Sequence, residues 1–184
     1  MSRLLNADDG ETLLDVGCGS GHFSRRFRQQ GLQVTAIDMD REMLDFARAR
    51  DGEPTFVSGD ARYLPFKNRS FDHCIAVASL CFIPQPLKAL EEMIRVARKS
   101  VVLGLLNRNS LLYWLKHRQG SYINARWDRR REIEQWAHDL GYSATIESAI
   151  FLPAGGPISP IVERLIPGRF PAGGFLAAKI CRGR

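Results

Sequence analysis

Five residues near the start of the chain, Gly17-Cys18-Gly19-Ser20-Gly21, follow a short apolar run and precede an amphipathic stretch. Glycines let a backbone turn sharply and pass close to a ligand. A strand, a glycine turn and a helix in that order make a nucleotide-type binding element. The spacing narrows the ligand. A dinucleotide fingerprint requires Gly or Ala at the sixth position. Counted from Gly17 that position is His22, whose side chain would obstruct close helix–strand packing. No Gly-Lys-Ser/Thr follows, so the turn is not a phosphate loop either. The four cysteines, Cys18, Cys74, Cys81 and Cys181, contain no C-x-x-C pair and form no Cys/His cluster with zinc spacing. Neither a disulfide framework nor a metal site is expected, and Cys74 and Cys181 read as buried thiols. His117 and Tyr122 are the candidates for a general base, against the plainer reading of His117 as a surface residue.

The elements that must position this turn are legible as alternating patterns. Thr12 to Val16 reads as a buried strand and His22 to Gln30 as a helix with Phe23 and Phe27 on one face, stopped by Gly31. Leu32 to Ile37 reads as a second strand closing at Asp38, and Asp40 as the N-cap of a helix carrying Met43, Leu44 and Ala47. Thr55 to Val57 and Asp72 to Ala78 are further strands. Pro86 opens a helix whose apolar face runs Leu87, Leu90, Met93, Ile94 and Ala97. Ser100 to Leu106 is a fifth strand, and 128–140 a helix burying Ile133, Trp136, Ala137 and Leu140. Tyr142 to Phe151 and Phe175 to Cys181 read as two late strands without a helix between them. This alternation predicts a doubly wound, Rossmann-like α/β fold, a mostly parallel seven-stranded sheet with an antiparallel pair at its C-terminal edge and helices on both faces.

The chain has 184 residues, one domain's worth, with 45% hydrophobic and 25% charged residues. No apolar run approaches the roughly 20 residues needed to span a bilayer, and Met1 to Gly10 carries no apolar leader, so a cytoplasmic protein is the default. The net charge of +6 leaves anionic partners open. Between Arg108 and Arg131 seven Lys or Arg stand against one acid, Asp128.

Taken together, Leu13 to Gly21 resembles the first motif of class I SAM-dependent methyltransferases, and the flanking sequence is similar to the ubiquinone/menaquinone-biosynthesis (methyltransferase type 11) group. The resemblance covers residues 11–106, which would be the SAM-binding core of a single domain over 1–184, with 107–184 supplying substrate-side helices and the C-terminal strands. It implies S-adenosyl-L-methionine as cofactor and S-adenosyl-L-homocysteine as product. On that resemblance Asp15, Gly17, Cys18, Gly19 and Gly21 shape the cofactor turn. Asp38, 17 residues after Gly21, accepts from both ribose hydroxyls, and Met39 packs on the adenine. Asp60 accepts from the exocyclic amine, and the Ala61 amide meets a ring nitrogen. Val77 and Ala78 face the methionine moiety.

Two departures stand out. Where many relatives carry two histidines before an apolar-Pro step, this chain has Leu80-Cys81-Phe82-Ile83-Pro84. The first strand also begins only a dozen residues in, without the one or two helices that precede it in the family. That implies an open pocket, or closure by a later segment or a second subunit, and leaves a homodimer open. On the substrate side Asn107, Arg108, Tyr113, Tyr122 and Arg126 interleave aromatic and cationic groups, either as a pocket for an anionic or planar acceptor or as an amphipathic helix and loop packed on the sheet. The Pro/Gly-rich apolar stretch Pro153 to Phe175 reads as a lid or acceptor wall suited to a hydrophobic acceptor such as a quinone precursor or lipid, or as a plain surface excursion. The leading expectation is in-line methyl transfer to a small-molecule acceptor. The alternatives are an RNA methyltransferase, disfavoured because no Asn/Asp-Pro-Pro-Tyr/Phe step follows the fourth strand, and a non-catalytic SAM-binding or partner-activating subunit.

Overall fold

The computed structural model describes residues 1–50, 54–149 and 172–182. Seven strands, β1 (Thr12–Val16), β2 (Gln33–Asp38), β3 (Thr55–Ser58), β4 (Phe71–Val77), β5 (Ala97–Leu106), β6 (Tyr142–Ala149) and β7 (Phe175–Arg182), form one sheet in the order β3-β2-β1-β4-β5-β7-β6. The first five are parallel; β7 lies antiparallel between β5 and β6. The chain winds outward from β1 to β3 and then returns to lay β4 against the other side of β1. The order therefore reverses between β1 and β4, where open α/β sheets bind ligands at their carboxyl ends.

Period-two alternation divides the core between the two faces. Leu14, Val16, Cys74, Ala76, Val101 and Leu103 point to one face, covered by Leu90 and Met93 of α4 (Pro86–Val96) and by Ile133 and Ala137 of α6 (Arg130–Asp139). Leu13, Ile75 and Val102 point to the other, covered by Phe27 of α2 (His22–Arg28) and Leu5 of α1 (Ser2–Leu5). Burial on both faces is why these strands read as nearly unbroken apolar runs.

Several expectations change in detail. The buried face of α4 is Ala89, Leu90, Met93 and Val96, whereas Leu87 is exposed and Ala97 already begins β5. Trp136 and Leu140 are only partly buried. Cys181 is half-buried, because it alternates with the inward Ile180. A one-turn helix, α1, does precede β1. It packs on β5 and β7, where Lys179 Nζ donates to Leu5 O at 3.3 Å, and it takes no part in the cavity described below. The Pro153–Phe175 stretch lies, up to residue 171, outside the described residues.

At the amino ends of the strands His73 is buried between Ser100 Oγ (2.8 Å from Nδ1) and Glu11 Oε2 (2.7 Å from Nε2), and Glu11 also pairs with Lys99. The hydrogen bonds from Lys99 and His73 hold the Glu11 carboxyl down to about 2. This network faces away from the glycine turn.

Candidate active site

The glycine turn leaves β1 with positive φ at Gly17 (70°), Gly19 (50°) and Gly21 (72°), conformations that L side chains avoid. The Gly17 and Cys18 amides donate to Ile37 O at 2.8 and 3.2 Å, which ties the turn to the end of β2. A Cβ on Gly17 would stand 2.4 Å from Ser79 Cβ, so the segment after β4 seats directly on this glycine. Ser79 Oγ completes the contact by donating to Val16 O at 2.7 Å. A Cβ on Gly19 would meet nothing within 4 Å; it would project into open space.

Asp38, the last residue of β2, is fixed by the same turn. Its Oδ2 accepts from the Gly19 amide at 2.7 Å and its Oδ1 from the Asp40 amide at 2.9 Å. Each carboxylate oxygen can accept more than one hydrogen bond, so lone pairs remain for a ligand's hydroxyls. Asp40 caps α3 (Arg41–Arg48) by accepting from Met43 N at 3.1 Å.

These groups surround a cavity of about 560 Å³ at the carboxyl ends of β1, β2 and β4. Gly17, Gly19, Asp38, Met39, Asp60, Ala61 and Ala78 lie in its wall. Ala78 itself holds φ 53°, an unfavourable conformation for alanine, just where β4 stops and the chain turns over Gly17. Asp60 is not free-standing: Arg62 Nε and Nη2 approach its carboxylate at 3.0 and 2.6 Å and the Arg62 amide donates at 2.8 Å. These bonds hold the Asp60 carboxyl below the usual carboxylate range.

Asp15, Cys18, Gly21 and Val77 are not in the wall. Gly21 sits behind it as the N-cap of α2. Val77 packs toward Gly104, where an added Cβ would come 3.1 Å from its Cγ1. Burial lifts the Cys18 thiol well above its ordinary range, which removes it as a thiolate nucleophile. Asp15 is buried beneath the turn and accepts from Ser24 Oγ at 2.5 Å, joining β1 to α2. Burial raises its carboxyl from 3.8 to about 6, the Ser24 hydroxyl opposes this, and the Asp38 charge adds to it. With the folded value above the unfolded one, the native state binds the extra proton between these limits. Stability from this group is present below about pH 3.8 and lost as pH rises through 6. Asp15→Asn should abolish that slope and gain, relative to wild type, about 2–3 kcal/mol on moving from pH 4 to pH 7.5 in urea titrations. Unchanged slopes would remove Asp15 as their source.

Ser79, Phe82, Ile83, Pro84, Met43 and Arg62 also line the cavity, and the sequence reading did not assign them to it. A signal existed for some: Phe82-Ile83-Pro84 is an apolar-Pro step directly after a strand that ends beside the glycine turn. Among the described residues in the wall, Asp38, Asp40, Asp60 and Arg62 are the ionisable ones.

None of the substrate-side or base candidates reaches this wall. Asn107 is buried, donates from Nδ2 to Gly173 O at 2.7 Å and accepts from the Asn109 amide at 3.0 Å. Arg108 lies 5.8 Å from the Tyr113 ring centre. Arg126 pairs with the buried Asp128 at 2.6 Å and covers Trp136. His117 stacks on Tyr113 at 4.3 Å, with Nδ1 2.7 Å from Tyr113 O, and Tyr122 packs 5.5 Å from Trp127. These residues form a lobe over 107–128 with its own apolar cluster of Cys81, Leu106, Leu112 and Trp127.

An open sheet, a ligand-sized cavity at its switch point, and a glycine turn bound to an acid on the neighbouring strand define a protein with the methyltransferase version of the Rossmann-like fold. Residues 14–104 match the family described as a methyltransferase domain, and the chain carries that domain. It is similar to the malonyl-[acyl-carrier protein] O-methyltransferase of Pectobacterium atrosepticum, 37% identical over 101 residues, 55% of this chain and 40% of the relative. It is also similar to the demethylmenaquinone methyltransferase of Renibacterium salmoninarum, 37% identical over 94 residues, 51% of this chain and 40% of that one. The matched region is thus less than half the length of either relative. A Thermotoga maritima SAM-dependent methyltransferase, described as a possible histamine N-methyltransferase, superposes with a TM-score of 0.73 at 21% identity, covering 96% of this chain and 84% of that one.

Proposed function

We propose that this chain transfers a methyl group from S-adenosylmethionine to a small acceptor that reaches the site already ionised. The observation that supports the cofactor reading is the 2.7 Å bond between the Gly19 amide and Asp38, which joins a carboxylate to the glycine backbone of the turn, with Gly17, Gly19 and Asp38 in one cavity wall. Bound there, the cofactor supplies a methyl activated on a sulfonium, so transfer breaks the carbon–sulfur bond, returns its electron pair to sulfur and joins the carbon to the acceptor's lone pair. Asp38 would hold the ribose, Met39 and Ala61 the adenine side, and the Gly17–Gly19 backbone with Ala78 the amino-acid end. Phe82, Ile83 and Pro84 supply an apolar wall that excludes water and orients the acceptor, a contribution of several kcal/mol when alignment is good.

The described wall contains no histidine, lysine or cysteine to take a proton. Cys81 lies behind it, with its thiol 3.3 Å from Ala78 O and pushed by burial up to about 11. That favours a nucleophile ionised at neutral pH, such as a carboxylate, over a neutral carbon acid or amine that needs a base. The acceptor classes named for the two relatives differ in this respect, so paired assays with labelled cofactor separate them. A malonyl thioester should become labelled and a demethylated naphthoquinol should not. Label on the quinol alone would overturn the ionised-acceptor reading; cofactor binding without transfer to any acceptor would favour a partner-activating subunit. Loss of affinity for RNA oligonucleotides across a salt series, together with label in the RNA, would favour the nucleic-acid alternative.

A further inference from the structure

The 107–128 lobe presents an apolar stripe to solvent. Its helix α5 (Leu111–Lys116) already has one buried face, Leu112 and Tyr113, packed on Cys81, Leu106 and Trp127. The opposite face carries Leu111, Trp114 and Leu115 at i, i+3 and i+4, which are 53%, 77% and 49% exposed, and Ile123 in the following turn is 62% exposed. Three adjoining apolar side chains this exposed on one helix face mark a contact site. Cations frame it. Arg108 precedes the stripe and Lys116 and Arg118 follow it, all exposed and none in an ion pair with a described residue. The nearest acid in the sequence, Asp128, is buried and paired with Arg126.

We propose that this face of the lobe docks on an anionic lipid surface. The charge decides between occupants. A second copy of the chain would set the same cations against each other. A nucleic acid would satisfy the cations and stack on Trp114 but leave the leucines without apolar partners. An anionic bilayer meets both chemistries: acyl chains accept Leu111, Trp114 and Leu115, and the exposed cations Arg108, Lys116 and Arg118 of the same segment attract the headgroups. No helix among the described residues is long and apolar enough to cross a membrane. The lobe is also tied to the cavity: the Arg126 amide donates to Cys81 O at 2.8 Å, in the short turn whose next residues, Phe82 and Ile83, line the wall. Docking by α5 would hold the acceptor side of the cavity near the lipid. The surface and its test stand independently of the cofactor and acceptor readings.

The test is co-sedimentation of the full chain, without cofactor, on phosphatidylcholine vesicles with and without phosphatidylglycerol, read with tryptophan emission. Anionic vesicles should bind about tenfold or more tightly than neutral ones, weaken with salt, and blue-shift the emission, since Trp127 is already buried and Trp136 partly so. Trp114→Ser with Leu115→Ser should cut binding about tenfold or more and remove the shift, and Lys116→Glu with Arg118→Glu should cut binding while unfolding midpoints stay unchanged. No binding, equal binding to neutral vesicles, or binding unaltered by the variants would overturn the proposal. So would displacement from vesicles by an RNA oligonucleotide, or a doubled solution mass that Trp114→Ser returns to monomer.

Discussion

Asp38→Ala should lower affinity for S-adenosylmethionine by about 10²–10⁴-fold while the protein stays folded. The carboxylate would accept from two ribose hydroxyls, and hydrogen bonds to a charged group contribute about 1.5–3 kcal/mol each. Losing both removes about 3–6 kcal/mol, which converts to that range. The same side chain also fixes the Gly19 amide at 2.7 Å and the Asp40 amide at 2.9 Å, so the alanine variant loosens the turn as well. Asp38→Asn separates the two roles. Its amide oxygen can still accept from one backbone N–H, whereas the charge and one acceptor are lost, so its affinity should fall between wild type and alanine. Titration calorimetry on all three proteins measures this directly. Wild-type affinity in Asp38→Ala would mean that the cofactor is held elsewhere.

Gly17→Ala should cost about 2–5 kcal/mol of stability and weaken cofactor binding together with it. Two terms add. A residue with a Cβ at φ 70° carries about 1–2 kcal/mol of left-handed strain, and a methyl placed 2.4 Å from Ser79 Cβ forces a backbone shift costing about 1–3 kcal/mol more. For a domain of this size each kcal/mol lowers the melting temperature by roughly 2–4 °C, so a drop of about 5–20 °C is expected. Adding Ser79→Gly relieves the contact but not the φ, and so should return part of the loss. Complete recovery would show that strain at Gly17 is negligible; no recovery would show that the turn does not seat on Ser79.

The parallel core was readable because its residues answer to local rules. β1 and β4 are buried on both faces and appear as short apolar runs, Gly31 ends α2, Asp40 caps α3, and Pro86 opens α4. The turn and Asp38 were readable because a fixed number of residues separates a glycine cluster from the acid closing the next strand. What escaped depends on partners far away in sequence. Nothing near Asp60 announces that both its oxygens are taken by Arg62, a residue with the look of an ordinary surface cation. Ser79 matters only because β4 lies beside β1 and brings it onto Gly17. The aromatic and basic mixture at 107–128 was ambiguous for the same reason. The composition of a pocket and that of a packed lobe coincide, and only the pairing of Arg126 with Asp128 and the stacking of His117 on Tyr113 distinguish them. The edge of the sheet was readable in kind but not in order, since nothing local places β7 between β5 and β6.

Diffraction from crystals grown with S-adenosylhomocysteine asks the most direct question. The ribose hydroxyls should lie within hydrogen-bond distance of Asp38, with the amino-acid end running over Gly17 and Gly19 toward Ala78. A nucleoside bound away from Asp38, or a cavity that stays empty at saturating ligand, would contradict the assignment.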